Sequence, residues 1–106
     1  YLNSLCRQRN LVPEQVIKKA QIDRTYGHQL FNGTRVPSRD KLLQLCIGME
    51  LDLKETQQLL KTAGKSILYA KIKRDAAVIY GITHHMDVME VQGLLASIQA
   101  PLLGEA

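Results

Sequence analysis

The stretch Asp23–Leu43, DRTYGHQLFNGTRVPSRDKLL, decides how the rest of the chain is read. Asp23 is a capping residue type, whose carboxylate accepts from the unpaired N–H groups at a helix start. Asn32-Gly33 is a stop, because glycine takes the left-handed conformation that closes a helix. A short helix is therefore predicted between them. The basic loop Thr34-Arg35-Val36-Pro37 follows, and Ser38 caps the next helix. At about 100° per residue, Arg24, Thr25, His28, Gln29 and Asn32 share one arc of about 140°. Gly27 and Leu30 lie opposite, with Tyr26 and Phe31 at the edges. A glycine on the buried side lets a neighbouring helix come close. The outward side is a row of hydrogen-bonding groups. Arginine can grip guanine through two bonds, glutamine can do the same for adenine, and threonine meets polar edges or a thymine methyl. An ordinary polar surface helix would explain the polarity, but less well the inward glycine and the basic exit loop.

Working outward, helix signals recur and strand signals do not. A first helix is predicted over Leu2–Arg9. A second starts at Pro13, a favoured first-turn residue, and places Val16, Ile17 and Ala20 on one face. The fourth runs from Ser38 to about Met49. Asp52 and Glu55 form a capping box for the fifth, which stops before Gly64. The sixth covers about Lys73–Thr83. Asp87 and Glu90 box the seventh, which reaches about Ile98 before Pro101 blocks it. The fourth and sixth helices are apolar almost all round, which predicts burial on several sides. A shift of 35 residues lays Arg39-Asp40 on Arg74-Asp75, Ile47 on Ile82 and Asp52 on Asp87; Glu55, Gln57, Leu59-Leu60 and Leu68 also meet identical residues. Two equivalent αα-hairpins side by side explain this match, and shared capping with apolar spacing is the competing explanation.

The chain has 106 residues, 45% of them apolar and 5% aromatic, enough for one aliphatic core. The net charge is +4, but the excess sits in one place. Residues 1–41 carry eight Lys/Arg against three Asp/Glu, whereas 42–65 balance and 66–106 sum to −1. One basic half beside a neutral half fits a polyanionic partner, with a solvated basic face as the plain alternative. Cys6 and Cys46 sit in apolar helical patterns and read as buried free thiols. No apolar run reaches membrane-spanning length, so no membrane partner is expected. The first residue is Tyr1 rather than Met; the start reads as trimmed, and the lack of a targeting peptide decides nothing.

Residues 11–53, LVPEQVIKKAQIDRTYGHQLFNGTRVPSRDKLLQLCIGMELDL, resemble the phage-repressor type of helix-turn-helix, the lambda-repressor-like or Cro-type family. Asn32–Ser38, NGTRVPS, is the most specific part, and Leu2–Asn10 matches loosely as a first helix. The resemblance implies an all-α fold: a five-helix DNA-binding domain over 1–65, extended by a helical hairpin over 66–106, about seven helices in total. It implies that the third helix lies in the major groove. Arg24, Thr25, His28 and Gln29 would then face base edges, while Asn32, Thr34, Arg35 and Arg39 would meet phosphates. The chain departs from the family in carrying Ile17 where alanine is usual and Gln21 where the turn usually has glycine. Gly27, where a branched apolar residue is usual, would leave room for Ile17.

No nucleophile–base pattern or phosphate loop is present, so no enzyme, cofactor or metal site is expected. Adjacent His84-His85 point about 100° apart and do not readily share one metal; a helix-end histidine is the plainer reading. Met86 and Met89 read as core, and the two Arg-Asp pairs as first-turn capping and surface charge. The expected function is a cytoplasmic bacterial or phage transcriptional regulator that binds double-stranded DNA. A homodimer is expected through the aliphatic surface of the seventh helix, Val88, Val91, Leu94, Leu95 and Ile98, with Leu102-Leu103. A protein-interaction module that keeps the fold and works through 66–106 is the alternative.

Overall fold

Seven α-helices follow one another in the computed structural model, which describes residues 2–104: α1 (Leu2–Gln8), α2 (Pro13–Lys19), α3 (Arg24–Phe31), α4 (Arg39–Gly48), α5 (Leu53–Thr62), α6 (Lys73–Thr83) and α7 (Val88–Ser97). Every expected helix is present, and no strand occurs among the described residues.

Three of the junctions are one device used again. Gln21-Ile22-Asp23, Glu50-Leu51-Asp52 and His85-Met86-Asp87 each begin with a residue in left-handed backbone, φ 59°, 58° and 56°. The N–H of each second residue donates back to a carbonyl of the preceding helix, from Ile22 to Ile17, Leu51 to Cys46 and Met86 to Gly81. This is the Schellman closure, which satisfies carbonyls that the helix end would leave unpaired. The aspartate then caps the next helix by accepting from the N–H of Tyr26, Glu55 or Glu90. Both expected capping boxes form, Asp52 with Glu55 and Asp87 with Glu90. The turn inside the helix-turn-helix candidate is thus the turn that builds the other two hairpins.

α4 is the centre. Every residue from Leu42 to Met49 is buried, and α2, α5 and α7 all pack on this helix. At Gly48 a Cβ would stand 2.9 Å from the Val16 carbonyl oxygen, so α2 and α4 cross backbone to backbone. Buried Gln44 donates through Nε2 to the Ala20 carbonyl at the end of α2, 3.0 Å away. α6 departs from expectation. Ala77, Val78, Gly81 and Ile82 are buried, but Ile72 at its N-cap is 51% exposed and Tyr80 48%. The all-round apolar pattern had predicted burial on several sides; α6 packs against α7 and α5 on one side and leaves the other open. α7 departs in the opposite sense. Val88, Val91, Leu95 and Leu103 lie inside the core, with Leu94, Ile98 and Leu102 packed against it. Of the aliphatic surface expected to face a second copy, Val88, Val91, Leu95 and Leu103 are buried within the chain, while Leu94, Ile98 and Leu102 are partly buried.

The 35-residue repeat is structural. Gln57 closes a ring of two hydrogen bonds on the backbone of Leu68, at 2.8 and 2.7 Å, and Gln92 does the same on Leu103, at 2.9 and 2.8 Å. The Arg-Asp pairs are exchanged between the halves. Arg39 donates to Asp75 and to the carbonyls of Ser66 and Ile67. Arg74 donates to Asp40 and to the carbonyls of Pro101 and Leu102. Asp75 also accepts from the Tyr69 N–H, and Asp40 from the Gly104 N–H. Every member has its counterpart 35 positions on, a relation that shared capping alone does not produce. Expected as first-turn capping and surface charge, these residues are cross-braces between the halves, with Asp75 buried and Arg39, Asp40 and Arg74 half-buried. One core cluster runs from Leu2 to Leu103, and the radius of gyration is 12.8 Å, close to the roughly 13 Å of a compact chain of this size. The expected units 1–65 and 66–106 share that core.

Candidate nucleic-acid interface

α3 sits where its sequence puts it. Asp23 caps its start, and Gly27, Leu30 and Phe31 face inward. A Cβ on Gly27 would lie 2.5, 2.8 and 2.9 Å from Cγ2, Cγ1 and Cδ1 of Ile17. The glycine therefore holds the space that the large Ile17 needs, and α2 and α3 cross closely because of that exchange. At the far end, Asn3 of α1 donates through Nδ2 to the Phe31 carbonyl at 2.8 Å, pinning the last turn of α3.

Outward, Arg24, Thr25, His28 and Asn32 are exposed and Gln29 is half-buried. The exit loop is braced by its own side chains. Asn32 Oδ1 accepts from the Thr34 N–H at 2.9 Å. The Arg35 N–H donates to the Gln29 carbonyl at 3.1 Å, and Arg35 Nε donates to Gln29 Oε1 at 2.8 Å. The Arg35 guanidinium lies 5.4 Å from the Tyr26 ring centre, and Lys41 Nζ lies 5.8 Å from the same ring. Tyr26 is thus a platform that gathers two cations beside the end of α3. Lys41 was not foreseen as part of this cluster. Its signal was its place in the first turn of α4, which only the path of the loop after α3 brings near Tyr26.

Glu14 is the second residue that the sequence did not reveal as part of the face. Its carboxylate accepts from Arg24 Nε at 2.8 and 3.2 Å and hydrogen-bonds His28 Nε2 at 2.8 Å. The bonds from Arg24 first, and then His28, hold the Glu14 carboxyl below its ordinary range. Two of the expected base readers are therefore tethered in the free protein. Arg24 nonetheless keeps 79% of its side-chain surface open, and an exposed pair of this kind is worth little in water and exchanges readily.

Arg39 needs a correction. Its guanidinium, expected at a phosphate, is turned into the fold, and four of its five N–H donors are already engaged by Asp75, Ser66 and Ile67. It braces the two halves and has one N–H left to offer. The other expected contacts, Asn32, Thr34 and Arg35, lie together at the end of α3.

One concavity, about 590 Å³, lies where the ends of α2, α4 and α6 meet over Ile47, Leu51, Ile82 and Val88, and another, about 620 Å³, lies between α2 and the start of α3 beside Glu14 and Arg24. No group of three or more His, Cys, Asp or Glu residues is placed to hold a metal among the described residues. Cys6 and Cys46 are free and buried; burial pushes the Cys46 thiol up to about 12, which makes it a poor nucleophile. Compared with family models, curated proteins and solved structures, the chain matches none.

Proposed function

We propose that this chain is a sequence-specific DNA-binding regulator that reads the major groove with α3. The observation that carries the reading is the division of α3 into two faces. Gly27, Leu30 and Phe31 lock one face into the core, while Arg24, Thr25, His28 and Gln29 carry a row of donors and acceptors on the other. A row held on a rigid helix can be matched to base edges, whereas Arg35 and Lys41 beside Tyr26 supply charge for phosphates. In this reading Arg24 leaves Glu14 when it meets DNA. One observation favours the alternative of a protein-interaction module: Glu14 cancels part of the charge of the reading face before any partner arrives.

Selection of bound duplexes from a random pool separates the two. DNA reading gives an enriched motif. Gln29→Ala then loses affinity by about 1–3 kcal/mol and relaxes preference at one position. Arg35→Ala weakens all duplexes alike and flattens the dependence on salt. A pool that stays unenriched would overturn the proposal.

A further inference from the structure

The basic loop before α4 has a counterpart. Tyr69-Ala70-Lys71-Ile72-Lys73 stands 35 positions after Thr34–Ser38, so it leads into α6 as that loop leads into α4. Arg39 brings the two loops together. It follows Ser38 directly, and its guanidinium donates to the carbonyls of Ser66 and Ile67 and to Asp75, which in turn accepts from the Tyr69 N–H. The sum of −1 over residues 66–106 hides a separation of charge. Asp75 is buried and engaged by Arg39. Asp87 and Glu90 stand at the start of α7, beyond the far end of α6, whose 11 residues span about 16 Å. Lys71 and Lys73 remain at the near end, exposed, and neither has an ion-pair partner among the described residues.

We infer that Lys71 and Lys73 form a second clamp on the DNA phosphate backbone, beside the contacts of Asn32, Thr34 and Arg35. The inference rests on the reading of α3 as the helix that meets the bases. The cross-braces use other residues: Arg39 is paired with Asp75 and Arg74 with Asp40. The two lysines are left over, at the end of α4 where the chain already carries Arg35 and Lys41. A merely solvated loop needs no particular neighbour, whereas this one is tied to the start of α4 by the Arg39 guanidinium. Duplex DNA carries one negative charge per ~1.7 Å of its axis. A clamp wider by one loop therefore meets further phosphates without changing which bases α3 reads. The brace gains a functional consequence, since it fixes the spacing of two phosphate-binding loops.

Salt titration of DNA binding by the full chain tests this, on the duplex selected from a random pool and on a mixed-sequence duplex of the same length. Each phosphate contact contributes about −0.9 to the slope of log affinity against log salt. Lys71→Ala with Lys73→Ala should flatten the slope by about 1.8 on both duplexes, so its deficit against wild type shrinks about twelvefold between ~50 and ~200 mM salt. The enriched motif and the helical circular dichroism should stay as they are, since both side chains are exposed. Lys54→Ala is the control for charge alone. Lys54 is exposed at the start of α5, by the other end of α4, and its loss should leave the slope unchanged. Ethylation interference locates the contacts: the phosphates released by the double lysine variant should lie outside those released by Arg35→Ala. A double variant with the wild-type slope, or a Lys54→Ala slope flattened as much per lysine, would overturn the inference and leave the α3 reading standing. A chain that binds neither duplex would overturn both.

Discussion

Exchanging the sizes of Ile17 and Gly27 tests why α2 and α3 cross as they do. Ile17 is 2% exposed, and the three nearest atoms to a Cβ on Gly27 all belong to its side chain, at 2.5–2.9 Å. Gly27→Val alone forces Ile17 off its rotamer or pushes the helices apart, and overpacking of this kind costs about 1–3 kcal/mol. The removal of a helix-interior glycine returns at most about 1 kcal/mol of that. Ile17→Ala alone leaves a void and should cost about 2–5 kcal/mol. The double variant places the small residue on α2 and the branched one on α3. The new valine then fills the space that Ile17 vacated, so the double variant should be more stable than the sum of the single losses by about 1–3 kcal/mol. Urea denaturation of the four proteins gives the cycle directly, with thermal midpoints as a check. Losses that simply add would show that the two residues do not share one space. That result would sink the explanation of how α2 carries so large a residue as Ile17 at its close crossing with α3.

Three further outcomes follow from the contacts. Glu14→Gln removes the carboxylate that holds Arg24 and His28 and one negative charge beside the proposed reading face; on that proposal DNA affinity should rise, measured by fluorescence anisotropy at low salt, and an unchanged or weaker affinity would refute the tether. Burial pushes the Asp40 carboxyl up, but the Arg74 guanidinium, the Gly104 N–H and the charges of Arg74 and Arg39 outweigh it and hold it below its ordinary range. A carboxyl lowered by folding gives stability that is present above its unfolded value and lost as pH falls through the folded one. Wild-type stability should therefore drop as pH falls below about 4, near the unfolded value, and Asp40→Asn should flatten that limb; equal slopes in urea titrations would count against the brace. Finally, ending the chain at residue 65 removes the α7 cover of α4 and both Arg-Asp braces. The fragment should melt far below the whole protein or aggregate, and a calorimetric midpoint matching the intact chain would contradict the shared core.

Much of the helical plan was legible because each boundary is written in residues that act locally. Asp23, Ser38, Asp52 and Asp87 cap through their own carboxylate or hydroxyl, and Pro13 fits a first turn, so no distant contact is needed to place those starts. The left-handed stops at Gln21, Glu50 and His85 were not legible one by one, since none is glycine. They become visible only when the three junctions are laid together and seen to share an apolar second residue and an aspartate third. The repeat was visible as identities, but its meaning was not. Arg39 and Arg74 bond the other half's aspartate, and a shift of the sequence against itself shows equivalence without showing exchange. That is why Arg39 was assigned to a phosphate: in one dimension it follows the basic loop, while in three its guanidinium reaches back to Asp75.

Burial of α6 and α7 was misjudged for a related reason. Helical periodicity reports how much of a helix is apolar, not how many neighbours arrive to cover it. α7 carries the cleaner stripe, and the chain's own core takes Val88, Val91 and Leu95 from it; α6 is apolar almost all round, and its neighbours reach one side only. Apolar surface left over after folding is therefore a better pointer to a partner than apolar surface in the sequence, and on α6 it consists of Ile72 and Tyr80. The same reasoning applies to α3. Its polar row was legible, but the state of that row in the free protein depends on Glu14, which sits on the preceding helix and approaches Arg24 and His28 only because Gly27 lets α2 and α3 come together. The inward glycine thus acts on the outward face: it sets the crossing, the crossing brings in the carboxylate, and the carboxylate decides how much charge the face presents.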